Sequence, residues 1–366
     1  MKFTCDRLQL AEAVNNVQRA VSSKTTVPAL EGVLLKTDHQ KLTLCGYDLE
    51  LCIITSIDAS IIQEGASVLK AKLFSEILRK LPENTITIEI NEKDIVYITC
   101  GRAEYKIIGI PAADYPEIPI IRSSDKLTLE GETLSSMIRQ TLYAVSDSDS
   151  KPTNKGSLFE IENNQIRIVS VDGFRMAIRT EKIAYEGELS FIVPGKHLAE
   201  VMKLIGEDTK EVQMFSNGRH ISFTIGNYTV MTKLIVGDFM NYRSSIPTHH
   251  SARLTVNTRK FIDTIERMSL LLTDKMKSPI RCYIDNNLIK TTCNTPLGQA
   301  ADEVEVIMEG EALEIGFNNR FLLDAFRYTE TDEVIVELGG PISPMVLKPI
   351  EGDSFLFMLL PMRLSR

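Results

Sequence analysis

The sequence is poor in the devices on which catalysis, metal binding and membrane insertion depend. Its six cysteines, Cys5, Cys45, Cys52, Cys100, Cys282 and Cys293, include no Cys-x-x-Cys pair. Most lie in apolar runs such as Thr43-Leu44-Cys45 and Val96-Tyr97-Ile98-Thr99-Cys100. That reads as small buried side chains rather than a disulfide framework or a zinc site, and favours a reducing compartment. The five histidines, His39, His197, His220, His249 and His250, lack metal-ligand spacing. There is no phosphate-binding G-x-x-x-x-G-K-[ST] loop; Pro194-Gly195-Lys196-His197 lacks both the upstream glycine and the hydroxyl residue. G-x-G-x-x-G, H-E-x-x-H and G-x-S-x-G are also missing. No apolar run approaches the roughly 20 residues that span a bilayer. Lys2, Asp6 and Arg7 interrupt the opening residues, so no secretory signal is expected. The expectation is a cytoplasmic protein that is not an enzyme, with no membrane contact, no cofactor and no metal.

Excess positive charge is lacking too. The net charge is −8, which by itself speaks against a nucleic-acid-binding domain. With 43% hydrophobic and 25% charged residues the 366-residue chain is otherwise ordinary for a globular protein of two to four domains.

What the chain does have is a threefold repeat. Lys2-Phe3-Thr4-Cys5, Lys126-Leu127-Thr128-Leu129 and Arg253-Leu254-Thr255-Val256 each place a basic residue, an apolar residue, Thr and an apolar residue in a strand-like alternation. A helical stripe follows each: Leu10, Val14, Val17 and Val21; Leu134, Ile138, Thr141 and Val145; Phe261, Ile265, Met268 and Leu272. Only Thr141 breaks the apolar face. A second helix recurs as KLFSEILRKL, KHLAEVMKLI and RFLLDAFRY, each between two strand-like runs. A period near 124 residues is too long for a solenoid and means whole domains. The predicted fold is therefore α+β: three tandem copies of one domain, each with two helices and antiparallel sheets. The copies are placed at 1–124, 125–251 and 252–366, with Arg122-Ser123-Ser124-Asp125 and Thr248-His249-His250-Ser251 as polar linkers.

The charge is unevenly placed. Windows 7–24, 72–82, 131–148, 196–206, 258–275 and 319–328, which hold the helices, contain 15 basic and 9 acidic residues, a net of +6. The rest carries −14. Basic helices with an acidic remainder suit phosphate attraction from one face, although a solvated helix explains any single window. No base-reading motif accompanies them.

Several short motifs in this order resemble those of the β subunit of bacterial DNA polymerase III, the sliding-clamp family, and the likeness spans nearly the whole chain. They are Met1-Lys2-Phe3-Thr4, Gly46-Tyr47-Asp48-Leu49-Glu50, Ile110-Pro111-Ala112-Ala113-Asp114-Tyr115-Pro116, Val171-Asp172-Gly173-Phe174-Arg175-Met176-Ala177, Gly316-Phe317-Asn318 and Leu360-Pro361-Met362-Arg363-Leu364. The resemblance implies a clamp domain in each copy and a head-to-tail homodimer closed into a ring around duplex DNA. It implies a processivity factor whose partners are the replicative DNA polymerase, a clamp loader and other repair and replication proteins carrying a clamp-binding motif.

Carried over residue by residue, the resemblance implies a peptide pocket from Asn154, Val171, Gly173, Phe174, Arg175, Met176, Met240, Ser244, Asn318, Phe321, Ile342, Pro344, Met358, Leu360, Pro361, Met362 and Arg363. Aliphatic and Met side chains make an adaptable groove, and Arg175 and Arg363 are expected to hold polar or carboxylate groups at its rim. Val171, Met176 and Leu360 also read as ordinary core. The chain departs from the family at Met240, where proline is common, at Ser244, where a basic residue is, and at Asn154, where an apolar one is. The tail runs on to Ser365-Arg366.

The implied subunit seam sets Phe74, Ile77, Leu78 and Leu81 against Leu271 and Leu272, with Lys72 and Arg102 facing Glu303 and Glu305. Phe74 and Leu78 read equally as core of their own domain. DNA candidates are Arg19, Lys24, Lys72, Arg79, Lys80, Arg139, Lys151, Lys196, Lys203, Arg320 and Arg327. Two other classes are compatible with parts of the sequence. The acidic pairs Asp147/Asp149 and Asp302/Glu303 fit a metal-dependent phosphoryl-transfer enzyme, though Ser-Asp-Ser-Asp-Ser reads better as a loop. The apolar tail alone fits a monomeric peptide-binding adaptor. Asp172 could pass for a catalytic acid, but Asp48 stands in a similar turn one repeat earlier, which favours a structural role.

Overall fold

The computed structural model describes residues 1–22, 24–119, 121, 126–272 and 278–364. The linker expected at Arg122-Ser123-Ser124-Asp125 and the tail residues Ser365 and Arg366 lie outside the described residues. Among the described residues six α-helices follow the repeat: α1 (Arg7–Val17), α2 (Ala71–Lys80), α3 (Gly131–Leu142), α4 (Gly195–Leu204), α5 (Thr258–Ser269) and α6 (Asn319–Arg327).

The helices start and pack for reasons visible in the sequence. The Asp6 carboxylate accepts from Gln9 N at 2.8 Å and the Asn257 carbonyl from Lys260 N at 3.0 Å, so α1 and α5 open on the same side-chain cap. Leu10, Val14, Val17, Leu134, Ile138, Phe261, Ile265 and Met268 are all buried, as the stripe requires. Thr141 is buried as well. Its hydroxyl donates back to Met137 O at 2.8 Å, which satisfies the one polar group in that stripe. All six cysteines are buried and unbridged. Burial pushes the thiols of Cys5, with help from Asp6, and of Cys282 up to about 12, so they stay protonated and inert.

The chain forms two compact units, residues 1–134 with 199–234, and residues 135–198 with 235–366. Strand pairings are antiparallel throughout. The first unit holds a five-stranded sheet in the order Ser60–Gln63, Lys2–Asp6, Thr85–Ile90, Ile95–Cys100, Ala103–Ile108. Its second sheet has nine strands: Ile110–Pro111, Gly65–Lys70, Gly32–Asp38, Lys41–Tyr47, Leu51–Asp58, Tyr228–Lys233, His220–Ile225, Glu211–Ser216 and Lys126–Glu130. The second unit has its own nine-stranded sheet: Leu189–Pro194, Gly156–Glu162, Gln165–Val171, Arg175–Lys182, Phe355–Leu359, Met345–Pro349, Glu333–Leu338, Ala252–Asn257 and Ile307–Gly310. A four-stranded sheet completes it: Gly298–Glu305, Leu288–Thr295, Ile280–Asp285, Leu313–Phe317.

The repeat explains this pattern. Each nine-stranded sheet joins a strand of one copy to a strand of the next: Leu51–Asp58 to Tyr228–Lys233, and Arg175–Lys182 to Phe355–Leu359. The middle copy therefore divides its strands between the two sheets, which sequence reasoning does not anticipate. Among the eight strands that edge these four sheets are Ala103–Ile108 in the first unit and Gly298–Glu305 in the second. Among the described residues no helix is long and apolar enough to cross a membrane.

Candidate peptide pocket, basic helices and free edges

The pocket grows from a hairpin turn at 171–176. Asp172 Oδ1 accepts from Phe174 N at 2.8 Å and Arg175 N at 3.0 Å, and Gly173 takes φ 94°, where a side chain would be strained. This pins Phe174 outward, 62% exposed. The chain end then docks onto the turn. Leu360 N donates to Phe174 O at 2.8 Å, and Met362 N to Gly316 O at 2.8 Å. Asp48 builds the same turn in the first copy, accepting from Glu50 N and Leu51 N at 2.9 and 2.7 Å, while Glu50 O accepts from Lys233 N. Asp48 and Asp172 are thus structural, as their repeat positions imply.

A cavity of about 430 Å³ opens beside the second turn. It brings together Asn154, Val171, Gly173, Phe174, Arg175, Met176, Met240, Pro344, Met358 and Leu360. Val171, Met176 and Met358 are at once core and lining, packed with Leu158, Ile178, Ile192 and Tyr242. Burial and a hydrogen bond donated to Glu160 raise the Tyr242 phenol pKa. Four residues not assigned to this site also line it: Ser146, Ser150, Asp172 and Ser245. Lys151, assigned to DNA, lines it too. Ser245 takes the place expected of Ser244, whose hydroxyl turns back to Asn241 O at 2.8 Å. The hydroxyls of Ser146 and Ser150 come from a Ser/Asp loop whose composition signals only a turn.

The remaining candidates stand elsewhere. Asn318 caps α6, accepting from Phe321 N at 3.1 Å. Phe321 stacks on Phe174 with centroids 6.1 Å apart. Ile342 is 80% exposed, and Pro361, Met362 and Arg363 follow the lining residue Leu360 without joining the wall.

Arg175 corrects the expectation of a rim cation. It is 8% exposed; Nε donates to Asp172 Oδ2 at 2.9 Å and Nη1 to Asp324 Oδ2 at 2.6 Å. Its guanidinium lies 4.3 Å from the Phe321 ring centroid and 5.3 Å from that of Tyr143. Tyr143 in turn stacks on Tyr328 at 4.8 Å, and burial raises its phenol pKa. A guanidinium so engaged braces the turn against α6.

The basic helices divide into paired and free charges. Arg19 faces Glu200 at 4.0 Å, Lys203 meets Glu200 at 2.7 Å, Arg139 is bound by Glu330, and Arg327 by Glu266. Lys196 has a partner as well. Lys24, Lys72, Arg79, Lys80 and Arg320 are exposed and have no ion pair among the described residues.

At the proposed seam the core reading wins for the helix. Phe74 and Leu78 have no exposed surface within the single chain, and Ile77 and Leu81 are buried, so α2 cannot offer them to a partner. Helical spacing shows that a face is apolar but not what covers it. Leu271 and Leu272 are half-buried against their own core, while Leu270 beside them is 82% exposed. Ile108, on one free edge, is exposed as well. Arg102 next to that edge, and Glu303 and Glu305 on the other, are exposed as expected.

One member of each acidic pair is held by a cation: Lys155 holds Asp149, and Arg267 binds Asp302 at 2.5 Å. The only group of potential metal donors among the described residues is Asp38, His39 and Glu64, all exposed.

Three family models cover almost the entire chain: the DNA polymerase III beta subunit N-terminal domain over residues 1–119, its central domain over 128–241 and its C-terminal domain over 243–363. The chain belongs to the DNA polymerase III beta subunit family. Relatives agree along their full length. The beta sliding clamp of Halalkalibacterium halodurans is 30% identical over 99% of this chain and 100% of its own. The crystal structure of the Bacillus subtilis sliding clamp superposes with a TM-score of 0.97 at 28% identity, covering all of both chains. That of a DNA polymerase III beta subunit from Eubacterium rectale does so at 0.95 and 34%, covering 99% of each. The family is one of processivity subunits without a catalytic centre, which removes the phosphoryl-transfer alternative.

Proposed function

We propose that two copies of this chain close head to tail into a ring around duplex DNA and tether a replicative polymerase through the 430 Å³ pocket. The copies 1–124, 125–251 and 252–366 are the units of that ring. The observation that carries the reading is a pair of edge strands whose repeat equivalents are joined inside the chain. Ala103–Ile108 corresponds by the repeat to Tyr228–Lys233, and Gly298–Glu305 corresponds to Leu51–Asp58 and Arg175–Lys182. Those equivalents already pair with one another inside the chain. A second subunit satisfies the unpaired backbone groups by the same joint, and two joints close the assembly.

The internal register, carried over, sets Ala103 opposite Asp302 and Arg102 opposite Glu303. The exposed Leu270 and Ile108 supply apolar surface beside them, which should outweigh the ion pairs. Lys24, Lys72, Arg79, Lys80 and Arg320 are the charges free to meet phosphates, without base readout. A loader that opens the ring, other proteins with a clamp-binding motif, and a cytoplasmic setting complete the proposal. Sedimentation equilibrium tests it: the expected mass is twice the 41.0 kDa chain, and a monomer at micromolar concentration would leave the adaptor reading in its place.

A further inference from the structure

We propose that Asn217-Gly218 is a site of spontaneous deamidation in the folded chain, and that the turn around it accepts the aspartate produced. It is the one Asn-Gly step in the sequence. The turn is a third copy of the Asp turns at 48 and 172. Asn217 Oδ1 accepts from Arg219 N at 3.1 Å and from His220 N at 2.8 Å, and Asn217 N donates to His220 O at 3.1 Å. Asp172 does the same with Phe174 N, Arg175 N and Arg175 O, and Asp48 with Glu50 N, Leu51 N and Leu51 O. The docking bond recurs as well, from Leu234 N to Arg219 O at 2.9 Å. Two of the three turns are built on a carboxylate and the third on an amide.

The amide stands where it can be lost. Asn217, Gly218 and Arg219 are exposed. Gly218 holds φ 80°, and the space a side chain would take there is empty to 4 Å, so nothing crowds its nitrogen from that side. The Gly218 N–H donates to Ser216 Oγ at 3.3 Å, which sets a hydroxyl beside the proton that must leave. Once water has taken that proton, the nitrogen attacks Asn217 Cγ. The new N–Cγ bond makes Oδ1 an oxyanion, which the Arg219 and His220 amides already face. The Cγ–Nδ2 bond then breaks, and the nitrogen leaves as ammonia with a proton returned by water. The product is a succinimide. A second water opens it to aspartate, or to the isomer whose backbone runs through Cγ. Aspartate regains both amide bonds, now charge-assisted. It also enters a positive field: Arg219 lies in the turn, and Lys233 faces His220 across the strand pair. Burial and these two cations hold the His220 pKa below its usual value.

The test incubates full-length protein at physiological temperature, native and in urea, and follows every asparagine by peptide mass spectrometry. In the native protein Asn217 should convert several times faster than any other asparagine, and at a rate comparable with its own in urea. Conversion in urea but not in the native protein would overturn the site, because the fold would then protect the bond. So would the absence of conversion in both. The second half of the inference is read on the product. Asn217→Asp should unfold at a thermal midpoint equal to or above that of wild type, whereas Asn217→Ala, which leaves two amides without their acceptor, should unfold below it. A midpoint for Asn217→Asp as low as that of Asn217→Ala would show that the turn does not accept the acid. Neither readout depends on the ring or the pocket.

Discussion

The turns at Asp48 and Asp172 are built alike and do different things. Each uses an Asp carboxylate to hold two backbone amides and a carbonyl to receive the next copy's last strand, through Lys233 N and Leu360 N. Around the first, Ala29, Leu30, Cys45, Tyr47, Cys52, Tyr115 and Met231 fill the space as core. Around the second a cavity remains. The repeat shows where the filling differs. Leu30 stands where Asn154 does, Tyr47 where Val171 does, and Leu51 where Arg175 does. Large apolar groups close the first junction. A small polar one, a smaller apolar one and a paired arginine leave the second open. One fold thus gives a joint or a site according to a few side chains.

Making the second turn resemble the first should have the largest effect. Arg175→Leu strands Asp172 and Asp324 without their partner, and the scale for breaking a buried pair is about 3–5 kcal/mol. The expected result is a lower urea midpoint for unfolding of the second unit. An unchanged midpoint would show that the brace carries no weight.

Next comes the pocket itself. Met358→Ala removes an apolar wall and should weaken a Leu- and Phe-rich peptide by roughly 1–3 kcal/mol in calorimetry. Met362→Ala, just off the wall, should change affinity by under about 0.5 kcal/mol, the scale of changes away from contacts. Equal losses would mean that the tail binds the ligand differently.

The two Asp turns can be compared directly. Asp48→Ala should cost about 1–2 kcal/mol, because it leaves two amides without their acceptor, and Asp172→Ala should cost more, toward about 3–5 kcal/mol, because it also unpairs the buried Arg175. Only Asp172→Ala should also reduce peptide binding, since only that turn lines a cavity.

The smallest effect concerns Leu49, which holds φ 77° where the second turn has Gly173. Leu49→Gly should change stability by no more than about 1 kcal/mol and in the favourable direction, as relief of left-handed strain offsets the added chain entropy. A clear loss in thermal midpoint would mean that the exposed Leu49 side chain makes a contact worth more than the strain.

Much of this was legible in the sequence, and the reasons are physical. Three copies could be read because apolar stripes recur at helical spacing at fixed offsets, and stripe residues such as Leu10, Ile138 and Phe261 are core. The turn could be read because Asp48 and Asp172 occupy matching positions. What escaped were the contacts between distant segments. Nothing local to Arg175 tells that Asp324, Phe321 and Tyr143 engage it. Lys151 looked like any basic residue after a loop, and Phe74 and Leu78 show an apolar helix face whose cover is known only once the sheets are in place. The split of the middle copy between two sheets depends on long-range pairing for the same reason.

The claim on which the rest depends is that the free edges close a ring, and retention on circular DNA tests it most directly. Protein loaded onto nicked circular duplex by a clamp loader is passed over a sizing column at salt high enough to remove loose electrostatic binding, before and after the circle is cut once. A closed ring should co-elute with the circle and be lost from the linear form, since it can slide off an end. Equal retention on both forms, or none on either, would contradict a ring that holds DNA by enclosing it.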